Sequence, residues 1–252
     1  MNTHTFTFII GYRHRIDRFN NLKRTLDWIN GFAGVDVILV EQDTHSKISH
    51  LTLRARHIFL KSNKPYNRSW AFNVGTKLSK SNVIVFSDSD LIMEPNEFIE
   101  GLKAIEKYDM VSPYSSVLDL NPQESTFQLQ DMLKIDRPGR GETDNQKINI
   151  CGGISIFRKD AIQKIAGWNE DFLGWGGEDD FQTIKVENFL TNTTLPYKCY
   201  HLYHNREVPN QTGYQITLQL LQTLKNLSKD NLVKTINMSL PKIGMVNKYD
   251  NF

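Results

Sequence analysis

Apolar positions along the chain alternate between short continuous runs and longer stretches of helical spacing. Thr5 to Ile10 is a continuous β-prone run, after which Ile16, Phe19, Leu22, Leu26 and Ile29 recur at helical spacing until Gly31 and Gly34. Val35 to Val40 predicts a second strand, ending in Glu41-Gln42-Asp43, and Arg56 to Leu60 a shorter third. A polar loop from Lys61 to Asn67 precedes an amphipathic helix with Trp70, Ala71, Val74 and Leu78 on one side. Val83-Ile84-Val85-Phe86 then runs as a strand into Ser87-Asp88-Ser89-Asp90. Strand, helix, strand, strand, helix, strand is the alternation of a doubly wound α/β half, with a mostly parallel central sheet flanked by helices.

The second half is less regular. Phe98 to Tyr108 reads as a helix and Met110 to Ser112 as a short strand. From Ser115 to Lys147 the periodicity fades around Pro122, Pro138, Gly139 and Gly141, with one helical piece at Phe127 to Leu133; long irregular segments of this kind often form binding loops or lids. Ile148 to Phe157 predicts a strand whose Gly152-Gly153 something must approach closely. Asp160 to Ala166 is a helix closed by Gly167, another starts at Glu178 and runs through Ile184 and Val186, and Leu195 to Leu202 predicts the last strand. From Gln215 an amphipathic helix packs on the sheet, and the tail from Asn231 to Phe252 carries no legible chemistry. Without a repeat or a clean linker, the expectation is a single domain of residues 1–252. Its parts are a nucleotide-binding half (about 1–113), an acceptor and catalytic half (about 148–206) and a C-terminal helical segment (207–252).

Composition narrows the function classes. Lys plus Arg exceed Asp plus Glu by 30 − 28 = 2, so nucleic acid is not expected as a partner. Cys151 and Cys199 cannot form a disulfide framework and lack zinc spacing, which fits a reducing compartment. No apolar run has the length of a transmembrane segment and no leader pattern opens the chain, so the expected location is cytoplasmic.

Several residues carry candidate chemistry. In an extended backbone Asp88 and Asp90 would share a face, where hard oxygen ligands suit Mg²⁺ or Mn²⁺ and, through it, a diphosphate; Asp-x-Asp alone also fits a solvated strand end or turn. Arg13 and Arg15 follow the first strand, either as a solvated turn or as phosphate contacts. Asp43 closes the second strand, in reach of a ribose or of solvent. Glu178, Asp179 and Asp180 begin a helix, where the dipole by itself favours acids, but the preceding Trp175-Gly176-Gly177 adds an aromatic face of the kind that grips sugars. His201 and His204 could reach one metal if the backbone turns between them, or be ordinary surface or core groups.

Taken together these motifs resemble the GT-A-fold glycosyltransferases, Rossmann-like enzymes, and among them the β-1,4-galactosyltransferase family. Ile9-Ile10-Gly11-Tyr12-Arg13-His14-Arg15 is similar to that family's opening strand and arginine loop, and Tyr66 to Gly75 to its Phe-Asn-Arg…Asn-Val-Gly segment. Phe86 to Ile92 resembles its Asp-x-Asp. Gly152-Gly153 through the Trp175 to Asp180 run resembles its acceptor and catalytic segment, closed by His204-Asn205-Arg206. The match covers roughly residues 5 to 206. It departs at Gly11, where the family has proline, and at His201, where it has a methionine ligand.

The resemblance implies a UDP-sugar donor, with Arg13, Arg15 and Arg68 around the nucleotide and Asp88 near the ribose or donor sugar. It implies Mn²⁺ or Mg²⁺ on Asp90 and His204, with His201 as a further ligand. Glu178 and Asp179 would hold the acceptor hydroxyl, Asp179 as general base, with Trp175, Gly176 and Gly177 lining the acceptor site. The expected activity is inverting transfer of a hexose or N-acetylhexosamine to a saccharide or lipid-linked saccharide in surface polysaccharide synthesis, with peripheral membrane association. Two alternatives stand beside it: a retaining N-acetylgalactosaminyltransferase-like enzyme and an inactive sugar-nucleotide-binding module.

Overall fold

In the computed structural model, residues 6–48, 53–143, 148–205 and 211–249 are described. Strands β1 (Phe6–Tyr12), β2 (Val35–Asp43), β3 (Arg56–Lys61) and β4 (Val83–Ser87) form the parallel half of a seven-stranded sheet. Helices α1 (Ile16–Ile29) and α2 (Arg68–Leu78) make the crossovers. The strand order runs β3-β2-β1-β4, so the chain winds outward from β1 and then returns to its other side. The carboxyl ends of β1 and β4 therefore diverge at a topological switch point, where open α/β sheets hold their ligands. Register aligns these ends, with Tyr12 beside Glu41 and Ile10 beside Ser87.

The sheet continues through β8 (Ser155–Arg158), antiparallel to β4, then β6 (Met110–Ser112) and β9 (Asn192–Thr194). A second sheet was not foreseen: β5 (Leu91–Met93), β10 (Lys198–His201) and β7 (Ser116–Asp119), with β10 in the centre. The remaining helices are α3 (Pro95–Ala104), α4 (Leu129–Met132), α5 (Lys159–Lys164), α6 (Glu178–Phe189), α7 (Gln211–Lys225) and α8 (Lys229–Ser239). Apolar residues on the two faces of the main sheet make two cores, one with Phe8, Leu22 and Phe98, the other with Trp70, Phe86 and Trp168. No described helix is long and apolar enough to cross a membrane.

Several expectations need correction. Strand β2 runs through Asp43, and Glu41 and Gln42 are fully buried within it. The Glu41 carboxylate accepts from Ser46 Oγ (2.6 Å) and Lys47 N (2.8 Å) and pairs with His57 Nε2 (2.9 Å), so it anchors the following loop. Ile16 is 88% exposed and does not join the apolar face of α1. The run from Ile148 is a strand only from Ser155, because the Gly152-Gly153 turn folds around Tyr114. That hydroxyl donates to Gly152 O (2.7 Å) and accepts from Ile154 N (2.9 Å), and a Cβ on Gly153 (φ 68°) would lie 2.2 Å from it. The last strand shortens to β10, and both cysteines are free and buried. Residues 144–147 and 206–210, including Arg206, lie outside the described residues, as do Thr5 and the chain beyond Tyr249.

The tail also differs. Helix α2 is buried over Arg68 to Thr76, on both sides, because residues 244–249 cover the side away from the sheet. Trp70 Nε1 donates to Met245 O (2.7 Å), Tyr249 packs edge-on against Trp70 at 4.9 Å, and Asn67 Nδ2 donates to Tyr249 Oη (3.4 Å). Buried Glu170 ties this segment down, accepting from Gly244 N (2.6 Å), Lys248 Nζ (2.8 Å) and Asn73 Nδ2 (2.9 Å). Glu170→Ala strands these donors, and the expected loss is about 1–3 kcal/mol or more in a denaturant titration. An unchanged midpoint would mean that the tail does not brace α2.

Candidate functional site

Two clusters form at the switch point. The first centres on Arg68, placed at the first residue of α2 by the Asn67 cap, whose side chain accepts from Trp70 N. Its guanidinium stacks over Phe72 (4.9 Å) and Trp168 (5.4 Å) and faces three carboxylates. Nε lies 2.9 Å from Asp88 Oδ1, and Nη1 lies 3.6 Å from Glu178 Oε1 and bonds Asp179 Oδ1. Nη2 is buried without a hydrogen-bond partner among the described residues.

Glu178 and Asp179 open α6, and Asp180 points to solvent. The loop before them needs Gly174 (φ 89°), Gly176 (φ 104°) and Gly177 (φ 90°) in the left-handed region, which side-chain-bearing residues avoid. Gly176 N donates to Glu178 Oε2 (3.1 Å). Trp175 is 64% exposed and packs on Tyr214 of α7 at 5.3 Å, giving an open aromatic surface beside the two acids. Burial pushes the Asp179 carboxyl up to about 7; Arg68 opposes the shift, and Glu178 and Asp88 add to it. Glu178 is raised for the same first reason, again opposed by Arg68.

The second cluster is Asp90, His201 and His204, whose ligand atoms all lie within 4.8 Å of one another. Asp90, in the turn between β4 and β5, is 4% exposed. Its oxygens lie 3.7 Å from His201 Nε2 and 3.4 Å from His204 Nε2. His201, at the end of β10, turns Nδ1 to Asp119 Oδ1 (3.0 Å), while His204 Nδ1 donates to Asn205 O (3.0 Å). Both imidazoles thus aim Nε2 at Asp90, as metal-binding histidines with an oriented second nitrogen do. Two neutral imidazoles and one carboxylate would make a donor set for Mn²⁺ or Fe²⁺, and a cleft lies beside them. That cleft, of about 330 Å³, is lined by Leu120, His201, Tyr203 and His204.

Asp88 and Asp90 therefore do not share one strand face. Strand β4 ends at Ser87, and the turn over residues 88–90 sends Asp88 to Arg68 and Asp90 to the histidines. The other expected donor residues lie at strand ends with partners of their own. Arg13 donates to Gln42 O and Lys64 O (2.9 Å each), Arg15 grips Asp17 (3.0 and 3.1 Å), and Asp43 accepts from Thr44 N (2.7 Å). Gly11 has a steric reason to replace proline, since a Cβ there would lie 2.3 Å from Tyr66 Oη. Asp119 and Tyr214 went unread in the sequence. Asp119 ends a strand, as Asp43 does, but β7 lies in the stretch where periodicity fades.

These features define a GT-A-type fold with a metal-ligand cluster and an acid-bearing helix start at the sheet's switch point. The model of glycosyl transferase family 2 matches residues 35–166, and the chain belongs to that family. A second model, the N-terminal domain of galactosyltransferase, matches residues 142–205. Human β-1,4-galactosyltransferase 5 is 24% identical over 208 residues, covering 74% of this chain and 47% of its own. Mouse β-1,4-galactosyltransferase 4 is 27% identical over 82 residues, 31% of this chain and 24% of its own. The chain thus spans about half the length, or less, of the curated relatives it matches.

Among solved structures, residues 1–349 of S. aureus TarS with UDP-GlcNAc align with a TM-score of 0.61 at 14% identity, over 98% of this chain and 73% of that one. A mutant Drosophila β-1,4-galactosyltransferase 7 with manganese, UDP-Gal and xylobiose aligns with a TM-score of 0.53 at 15% identity, over 85% and 79% of the two chains. At this identity the likeness is one of fold.

Proposed function

We propose that the chain is a metal-dependent, inverting glycosyltransferase that moves a hexose or N-acetylhexosamine from a UDP-sugar to a saccharide hydroxyl. The observation that carries this reading is the division of the switch point into a Asp90–His201–His204 ligand set and an Arg68-bound acid group beside exposed Trp175. Solved structures of the same fold were obtained with manganese and UDP-Gal, and with UDP-GlcNAc. Asp90, His201 and His204 would hold Mn²⁺, which when bound supplies Lewis-acid stabilisation of a departing diphosphate.

The chain's own groups do the rest. Trp175 and Tyr214 offer a sugar a face to lie on, and Glu178 orients the acceptor hydroxyl. Asp179, with a proton affinity matched to neutral pH, takes the hydroxyl proton as the oxygen attacks. Attack from the acid side, opposite the diphosphate, inverts the anomeric centre. Arg13, Arg15, Asp43 and Asp88 line the donor side in this reading. In this reading the acceptor is a saccharide or a lipid-linked saccharide of the kind that surface-polysaccharide assembly uses.

The test is UDP release from a panel of UDP-sugars with Mn²⁺, with chelator, and with Asp90→Ala, followed by the anomeric assignment of any product. The expected result is release from one sugar that chelator and Asp90→Ala both abolish, with a β-linked product from an α-linked donor. An α-linked product would replace inversion by retention, and release indifferent to chelator would remove the metal.

A further inference from the structure

The metal end of the site contains a cation to which none of these roles belongs. Arg18 sits in the first turn of α1, its backbone N–H donating to Arg15 O (3.1 Å). Along the same helix, Asn21 Nδ2 donates to Tyr203 O (2.9 Å) and Leu202 O (3.5 Å), and Thr25 Oγ1 donates to Leu91 O (3.5 Å). Residues 18, 21 and 25 are spaced to lie on one stripe of a helix. That stripe therefore runs along β5 and the His201–His204 segment, with Arg18 at its N-terminal end.

Arg18 pairs with none of Asp90, His201 and His204. Its Nε is buried and meets no hydrogen-bond acceptor among the described residues. A buried guanidinium donor without an acceptor is uncommon in a folded protein and needs a reason. A bare divalent cation on Asp90, His201 and His204 would be repelled by this guanidinium. A diphosphate bound to that cation would be attracted, because its oxygens match the guanidinium fork.

We propose that Arg18 is a diphosphate-binding residue that makes the divalent cation and the nucleoside diphosphate enter the site together. The role rests on the glycosyl-transfer reading above and adds an order of binding to it. Arg18 weakens the site for metal alone and strengthens it for the metal–nucleotide pair, so each ligand raises the affinity for the other by the same factor.

The experiment is calorimetric titration of the full chain with Mn²⁺ alone, UDP alone, and UDP in saturating Mn²⁺, for wild type, Arg18→Gln and Arg18→Lys, with ligand-free melting curves alongside. Arg18→Gln is expected to bind Mn²⁺ alone more tightly than wild type and UDP in Mn²⁺ more weakly, by roughly 5- to 150-fold as coupling energies run. Arg18→Lys keeps the charge without the fork, so it should bind Mn²⁺ alone as wild type does and still bind UDP less well. Effects of opposite sign on the two probes are not what a structural role produces. Loss of both probes together, or both affinities unchanged in Arg18→Gln, overturns the proposal while leaving the transferase reading in place. Wild-type protein that binds neither probe overturns the transferase reading and this role with it.

Discussion

Asp179→Asn is expected to slow glycosyl transfer by about 10²–10⁴-fold while UDP-sugar binding changes little. Asparagine keeps the size of the side chain and its place at the start of α6 but cannot take a proton. Asp179 is 26% exposed at its side chain, and its carboxyl is raised from 3.8 to about 7, first by burial and against the pull of Arg68. A general base works only when deprotonated, so kcat should fall as pH drops below about 7 and level off above it. The Asn variant should lack that limb. The same shift has a consequence for stability. Between 3.8 and about 7 the folded state holds a proton that the unfolded chain has released, so this residue's contribution to stability falls as pH rises through that window. A pH–rate profile of both proteins decides the matter; equal kcat, or the same acid limb in the variant, would remove Asp179 from the base role.

The second large effect is expected at Arg68. Its guanidinium is the shared counter-charge of Asp88, Glu178 and Asp179, and its side chain is 10% exposed. Arg68→Met keeps an unbranched side chain over Phe72 and Trp168 but leaves three carboxylates facing one another. Breaking a buried pair by removing one partner costs about 3–5 kcal/mol, because the remaining charge is uncompensated. Denaturant titrations at neutral pH should show a loss of that order. The loss should shrink at acid pH, where Glu178 and Asp179, whose proton affinities burial raises, take up protons. A loss below about 1 kcal/mol would mean that the carboxylates are hydrated or protonated without Arg68.

The sequence carried the parallel half of the fold because that half is written in local periodicity. Continuous apolar runs at Phe6 to Ile10, Val35 to Val40 and Val83 to Phe86 are what strands covered on both faces require. The glycines around Trp175 were equally plain, since Gly174, Gly176 and Gly177 take left-handed φ values that side-chain-bearing residues avoid. Residues that act in one short segment, Trp175 to Asp179, were legible for the same reason.

Tertiary structure decided what depends on residues far apart in the chain. The sheet of β5, β10 and β7 joins three segments of three or four residues each, too short for a periodic signal, and it is this sheet that brings His201 to Asp90 and Asp119. A single turn at residues 88–90 separated two aspartates that an extended backbone would have put on one face. The burial of α2 on both sides depends on a tail some 170 residues downstream, held by Glu170. The sequence by itself determined which segments are strands and helices and which residue types could do the chemistry, because propensity and burial pattern act over a few residues. Which charges meet was left to the folded chain, because Coulomb interactions and hydrogen bonds depend on distance in space and not along the backbone.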